Sequence, residues 1–257
     1  MNIRVIKLTI AYDGTGFCGW QRQKNDCSVQ GTLEEKLSII TNQSVTLHGA
    51  GRTDAGVHAL AMTAHFRTHS KIPCRSLQKG LNAMLPGAIR IDATCDAQPD
   101  FHARFSARGK TYLYRLYTGP IQPPTERFYI VHTPFYLQLK GIRNCLSLIQ
   151  GTHDFSSFEA SGSRDKAVTT GRGAIRTIQT TEFLKTGPDR YNLTITGDGF
   201  LRHMVRNLVG TLLDVGRERR TVAEFRDILE AQDRSTAGAT APAHGLYLLK
   251  VHYGDDQ

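Results

Sequence analysis

The sequence has little cysteine, a deficit of acid, and no long apolar run. Its five cysteines (Cys18, Cys27, Cys74, Cys95 and Cys145) are odd in number and far apart in 257 residues. No C-x-x-C pair and no Cys/His group has zinc spacing, which excludes a disulfide framework and a zinc module. They are expected to be small buried apolar residues in a reducing compartment. No stretch approaches the roughly 20 apolar residues that a membrane helix needs. The opening "MNIRVIKLTIAY" is interrupted by Arg4 and Lys7, so it lacks the apolar core of a signal peptide. The expected location is the cytoplasm, with no membrane partner. Against 32 Lys and Arg there are only 23 Asp and Glu, a net charge of +9. The excess occurs in both 1–105 and 106–257, so it belongs to the body of the protein and not to a tail. A polyanion such as nucleic acid is the natural partner.

The periodicities predict an α+β chain. "RVIKLTIAY" sets Ile6, Leu8, Ile10 and Tyr12 on one face with period two, a strand. Val29, Leu33, Leu37 and Ile40 form a helical stripe, and Leu77, Leu81, Met84 and Leu85 form another that stops at Pro86-Gly87. The second half repeats the style. "KTYLYRLYT" reads as a strand, 139–150 as a helix and "YNLTITG" as a strand, followed by helices over 200–215 and 221–231 and a closing strand "GLYLLKVHY". This predicts two similar halves, 1–105 and 106–257, with helices on sheet. The Gly/Ser/Arg-rich run 160–174 is the expected mobile loop.

"GTGFCG" (Gly14, Gly16, Gly19) matches G-x-G-x-x-G but leads into polar "QRQKND" and not into a helix, and Glu34 and Glu35 fall inside a helical pattern. A dinucleotide site is therefore excluded, and the glycines are expected to shape a strand-exit loop around Trp20. Four other segments carry more. "GAGRTDAGVHAL" places Asp54 beside Arg52 among glycines, where main chain can come close to a large ligand. "FHARFSARGKTYLYRLY" interleaves His102, Arg104, Arg108, Lys110 and Arg115 with Phe101, Phe105, Tyr112, Tyr114 and Tyr117. Cations for phosphates and rings for bases form a surface for looped nucleic acid. In "GDGFLRHMVRNLVGTLLDVG", Leu201, Met204, Leu208 and Leu212 make a core stripe. Arg202 and Arg206, four apart, are expected to share a helix face, with Asp198 as the cap. In "APAHGLYLLKVHY", Gly245 and Leu246 could meet a flat ligand. Asp13, Asp154 and Asp165 read as turn or cap residues, and His58, His102 and His153 as structural residues or phosphate contacts.

Together with "YDGTGFCGWQRQ", "VQGTLEE", "GLNAMLP" and "HDFSSF", these segments resemble the tRNA pseudouridine synthase A family over nearly the whole chain. The resemblance implies a pseudouridine synthase fold, two ferredoxin-like halves sharing one extended, mainly antiparallel sheet. It implies a homodimer acting on the anticodon arm of tRNA at positions 38 to 40. It gives Asp54 the role of catalytic carboxylate, Tyr112 that of the ring stacked on the target base, and Arg206 that of the aspartate's partner. Arg52 would enter the helix where the uridine leaves, and Leu246 would line the pocket. Arg104, Lys110 and Arg202 are expected RNA contacts. Moving C1′ from N1 to C5 of the base involves no net redox change, so neither metal nor nucleotide cofactor is expected. Asp54 could act as nucleophile or as base in an elimination. The chain departs from the family at Asp198-Gly199, where an Asn-Ala pair is usual. Two rival classes are a non-catalytic RNA-binding protein, for which Asp54 would have no use, and a base-excising glycosylase, which would release free base.

Overall fold

The computed structural model describes residues 3–24, 26–163 and 171–254. In chain order the first elements are β1 (Arg4–Tyr12), α1 (Val29–Thr41), β2 (His48–Gly49), β3 (His58–Thr68), α2 (Cys74–Met84) and β4 (Ile89–Ala97). Then come β5 (Gly109–Tyr117), β6 (Val131–His132), α3 (Leu139–Leu148), β7 (Gly151–Asp154), β8 (Ile175–Gly187), β9 (Arg190–Gly197), α4 (Met204–Gly216), α5 (Val222–Ala231) and β10 (Leu246–His252). The fold is mixed α+β, sheet flanked by helices. Of the predicted loop 160–174, residues 164–170, Asp165 among them, lie outside the described residues.

The chain forms two compact units, one of residues 1–110 with 247–257 and one of 111–246. In the first, the strands run β4-β1-β3-β10, with β2 also on β3. β1 is antiparallel to both neighbours, pairing Leu8 with Ala64 and with Thr94. β10 joins parallel at the start of β3, where Tyr247 meets His58. Leu8, Ile10, Val29, Leu33, Leu37, Met62, Phe66 and Leu81 are fully buried. Each such side chain contributes about 1.5–3 kcal/mol relative to exposure. Helix α1 starts at Ser28, whose hydroxyl accepts the Gly31 N–H, and stops at Asn42 in the left-handed region. One buried acid sits in this core. Glu34 accepts the Leu47 N–H (2.9 Å) and the Gln30 amide (3.1 Å), and pairs with Arg22 at 3.1 Å. It thereby fixes the chain entering β2.

In the second unit the strands run β5-β9-β8-β7, with β6 on β5. Helices α3, α4 and α5 pack on one another around Ile142, Leu146, Leu208, Leu212, Phe225 and Ile228. Of the cysteines only Cys145 is buried, its thiol pushed up to about 11 by burial; Cys27 and Cys95 are exposed and Cys18 and Cys74 half-buried. The expectation of buried cysteines fails because Cys95 lies on the outer strand β4 and Cys27 in the loop before α1. Among the described residues no helix is long and apolar enough to cross a membrane.

Candidate active site

The segment 50–57 links β2 to β3 and is held from behind at Ala50 and Thr53. Ala50 N–H donates to Thr63 O (2.8 Å) and Trp20 N–H to Thr53 O (3.0 Å). The Tyr12 and Thr53 hydroxyls share a hydrogen bond of 2.8 Å in the interior. Asp54 then opens a tight turn, closed by Val57 N–H on Asp54 O (3.1 Å), with Gly56 at φ 75°. A type II turn requires that positive φ at its third position. The turn leads straight into strand β3, so Asp54 caps no helix.

The "GTGFCG" glycines find their use here. A Cβ on Gly19 (φ 106°) would stand 2.5 Å from Thr53 O, and one on Gly14 would stand 2.1 Å from Val57 O. Their bare backbone lets the exit of β1 lie flat on the back of the Asp54 loop. Trp20, 2% exposed, closes the stack with its indole against Gly49. The result is a rigid loop that presents a half-buried Asp54 and an exposed Arg52. Lys110 runs past it, its Cε 3.4 Å from where a Gly51 Cβ would be. Arg104 is exposed in the turn 103–105 of the same unit. His58, 2% exposed, stacks on Tyr247 at 4.6 Å and its Nδ1 accepts the Gly14 N–H, so it is structural. Asp13 accepts Thr15 N–H and Asp154 accepts Ser156 N–H, the turn roles expected of them.

The second unit carries the other predicted residues. Tyr112 on β5 meets Phe200 edge-on at 5.0 Å. Two positions further on, Tyr114 is fully buried, donates to Pro242 O (2.8 Å), and has its pKa raised strongly by burial. It belongs to the core. Tyr117 lies under the Arg190 guanidinium at 5.1 Å. Arg206 is on the first turn of α4, where its Nε donates to Ala241 O (2.8 Å) and its own carbonyl accepts Ala241 N–H (3.1 Å). Leu246, 5% exposed, begins β10.

Three expectations about this unit are corrected. Arg202 does not share a helix face with Arg206, because His203 adopts φ 62° and the helix starts only at Met204. Asp198 caps no helix; it accepts Thr177 N–H (3.1 Å) and pairs with Arg172 at 2.5 Å. Gly245 makes its close approach to the protein and not to a ligand, since a Cβ there would strike Val131, Arg115 O and Tyr114.

Sequence reasoning missed the Tyr12–Thr53 hydrogen bond, and it missed Asn207. That side chain is fully buried, donates to Phe158 O (2.8 Å), and accepts from Arg234 (3.2 Å) and Thr240 (2.6 Å). With Thr211 taking Gly238 N–H and Arg206 taking Ala241, helix α4 fastens the segment 238–241 along its length. The available signal was the polar residues interrupting the stripe of "MVRNLVGT".

Comparisons with known proteins identify the family. The profile of the tRNA pseudouridine synthase family matches residues 8–106 and 146–254. The chain belongs to that family. It is 50% identical over 251 residues to tRNA pseudouridine synthase A 1 of Desulfotalea psychrophila, covering 98% of this chain and 100% of that one. Against tRNA pseudouridine synthase A of Thermoanaerobacter sp. it is 41% identical at the same coverage. For that of Acetivibrio thermocellus the figure is 42%, again with 98% and 100% covered. The crystal structure of a Cbf5-Nop10-Gar1 complex aligns with TM-score 0.37 and 12% identity over 81% of this chain and 45% of that one. Family membership rests on the sequence relatives.

Proposed function

We propose that this tRNA pseudouridine synthase isomerises uridine to pseudouridine in the anticodon arm of tRNA, at positions 38 to 40, without metal or nucleotide cofactor. The reaction breaks N1–C1′ and forms C5–C1′; the proton on C5 leaves and N1 gains one, so atoms and charge balance. Asp54 supplies the carboxylate that acts at the sugar, as nucleophile or as base. Arg206 supplies a cation to the reaction. Tyr112 is the platform for the flipped base and Arg52 fills the space the base leaves, offsetting an unstacking cost of a few kcal/mol. Leu246 lines the pocket, and Arg104, Lys110 and Arg202 take phosphates. The observation that carries the reading is the Asp54 turn, held from behind by Thr53, Gly19 and Trp20 while Asp54 itself is only half-buried. The protein acts in the cytoplasm as a homodimer. The run of exposed large apolar side chains Ile121, Phe128, Tyr129, Phe135 and Tyr136 supports the second copy.

The test uses purified protein and an unmodified tRNA transcript tritiated at uridine C5, with no metal added. Wild type is expected to release tritium and Asp54→Asn none. No release from either, with tRNA still bound, would leave a binding protein and no isomerase, and equal release from both would remove Asp54 from the reaction.

A further inference from the structure

Phe105 is 77% exposed, yet it is not loose. It lies in a closed turn: Ser106 N–H donates to His102 O (2.9 Å), and His102 N–H donates to the Ser106 hydroxyl (3.1 Å). The His102 Nδ1 accepts the N–H groups of both Arg104 (3.1 Å) and Phe105 (3.3 Å). Beneath the turn, Ala103 is fixed from two sides. Its N–H donates to His65 Nδ1 (3.1 Å) and its carbonyl accepts the Tyr253 hydroxyl (2.7 Å). The Phe105 ring stacks on the His102 ring at 4.2 Å and 28°, and His102 stands edge-on to buried His65 at 4.6 Å. One face of the phenyl ring is therefore supported by a ring that is itself supported, and the exposed side chain belongs to a preorganised surface. The Arg104 guanidinium is 5.8 Å from the Phe105 ring.

We infer that Phe105, backed by His102 and flanked by Arg104, is a stacking platform for an unpaired nucleobase of the RNA substrate, separate from the ring that serves the target uridine. A flat apolar face with a cation beside it is the arrangement that takes a base and its phosphate together. A protein partner would call for a broader apolar surface around the ring than this turn provides. This inference rests on the tRNA reading above.

The test measures binding of unmodified tRNA transcript to the full chain by fluorescence anisotropy, with tritium release followed in parallel. Phe105→Ala is expected to raise Kd about tenfold, the loss of one stacked base, and Phe105→Trp to bind within about twofold of wild type. Because the side chain is exposed, both variants should keep the wild-type melting temperature. Unchanged binding by Phe105→Ala would overturn the inference. So would unchanged binding accompanied by a shift to a smaller species in sedimentation, which would make Phe105 a protein contact. Wild type that binds tRNA, depends on Phe105 and releases no tritium would refute the isomerase reading and leave the platform standing. Wild type that does not bind tRNA would refute both.

Discussion

Thr53 stands next to Asp54 with its carbonyl held by Trp20 N–H and its hydroxyl by Tyr12. These contacts fix the residue next to Asp54 and so set where Asp54 sits. A misplaced carboxylate loses rate even when substrate still binds. Thr53→Val keeps the shape and deletes the hydroxyl. It is expected to lose up to about tenfold in kcat, the worth of one hydrogen bond, with a smaller change in KM. Thr53→Ser retains the hydroxyl and should recover most of the rate, and Tyr12→Phe should match the valine variant. Steady-state kinetics on the three decide it; equal losses for Ser and Val would show that the hydroxyl does not matter. The residues around Asp54 in sequence single it out. Its support could not be read there, because Tyr12 and Thr53 are far apart along the chain and nothing in either residue's local pattern points to the other.

At the scale of elements, what was legible followed periodicity. β1 buries the residues its pattern singles out and α1 buries Val29, Leu33 and Leu37 but leaves Ile40 half-buried, and α2, α3, α5, β5, β9 and β10 lie where the patterns predict. Strands β4 and β8 carry no such pattern. β4 buries Ile89 and Ile91 and then turns polar, while β8 buries little beyond Ile178 and Phe183 over 13 residues. Backbone pairing to β1 and β9 holds them in place, and pairing leaves no mark on composition. Helix α4 is the opposite case. Its stripe was plain, but its start was misread, since a left-handed His203 gives no periodic signal. Its hold on segment 238–241 suggests a test. Asn207→Ala strands Phe158 O and frees Arg234 and Thr240, so it should cost about 1–3 kcal/mol per unsatisfied buried group. Thermal unfolding should show a drop of several degrees, whereas Asn207→Asp, which keeps the acceptor, should lose less.

For the molecule as a whole, acid sensitivity has an identifiable source. Burial, then the neighbouring charges of His102 and His48, lower the pKa of His65 from 6.5 to about 4. The unfolded chain takes up this proton below about 6.5, while the folded imidazole refuses it until about 4. In that window the unfolded state binds more protons, so stability is intact above it and falls as pH drops through it. His102, also lowered by burial, acts in the same direction. Melting temperatures between about pH 7 and 4.5 should fall less steeply for His65→Asn than for wild type, a difference that follows directly from the linkage. Parallel curves would assign the acid sensitivity elsewhere.

The pairing of β10 with β3 bears on how the protein is made. β3 emerges from the ribosome with its N-terminal edge, beside the Asp54 turn, waiting for Tyr247 and Leu248. All of the 111–246 unit is synthesised before that partner arrives. Until β10 is made, the unit that bears Asp54 has an open sheet edge next to the Asp54 turn, a surface on which nascent chains can mispair. The strand that covers that edge comes from the far side of the other unit in sequence.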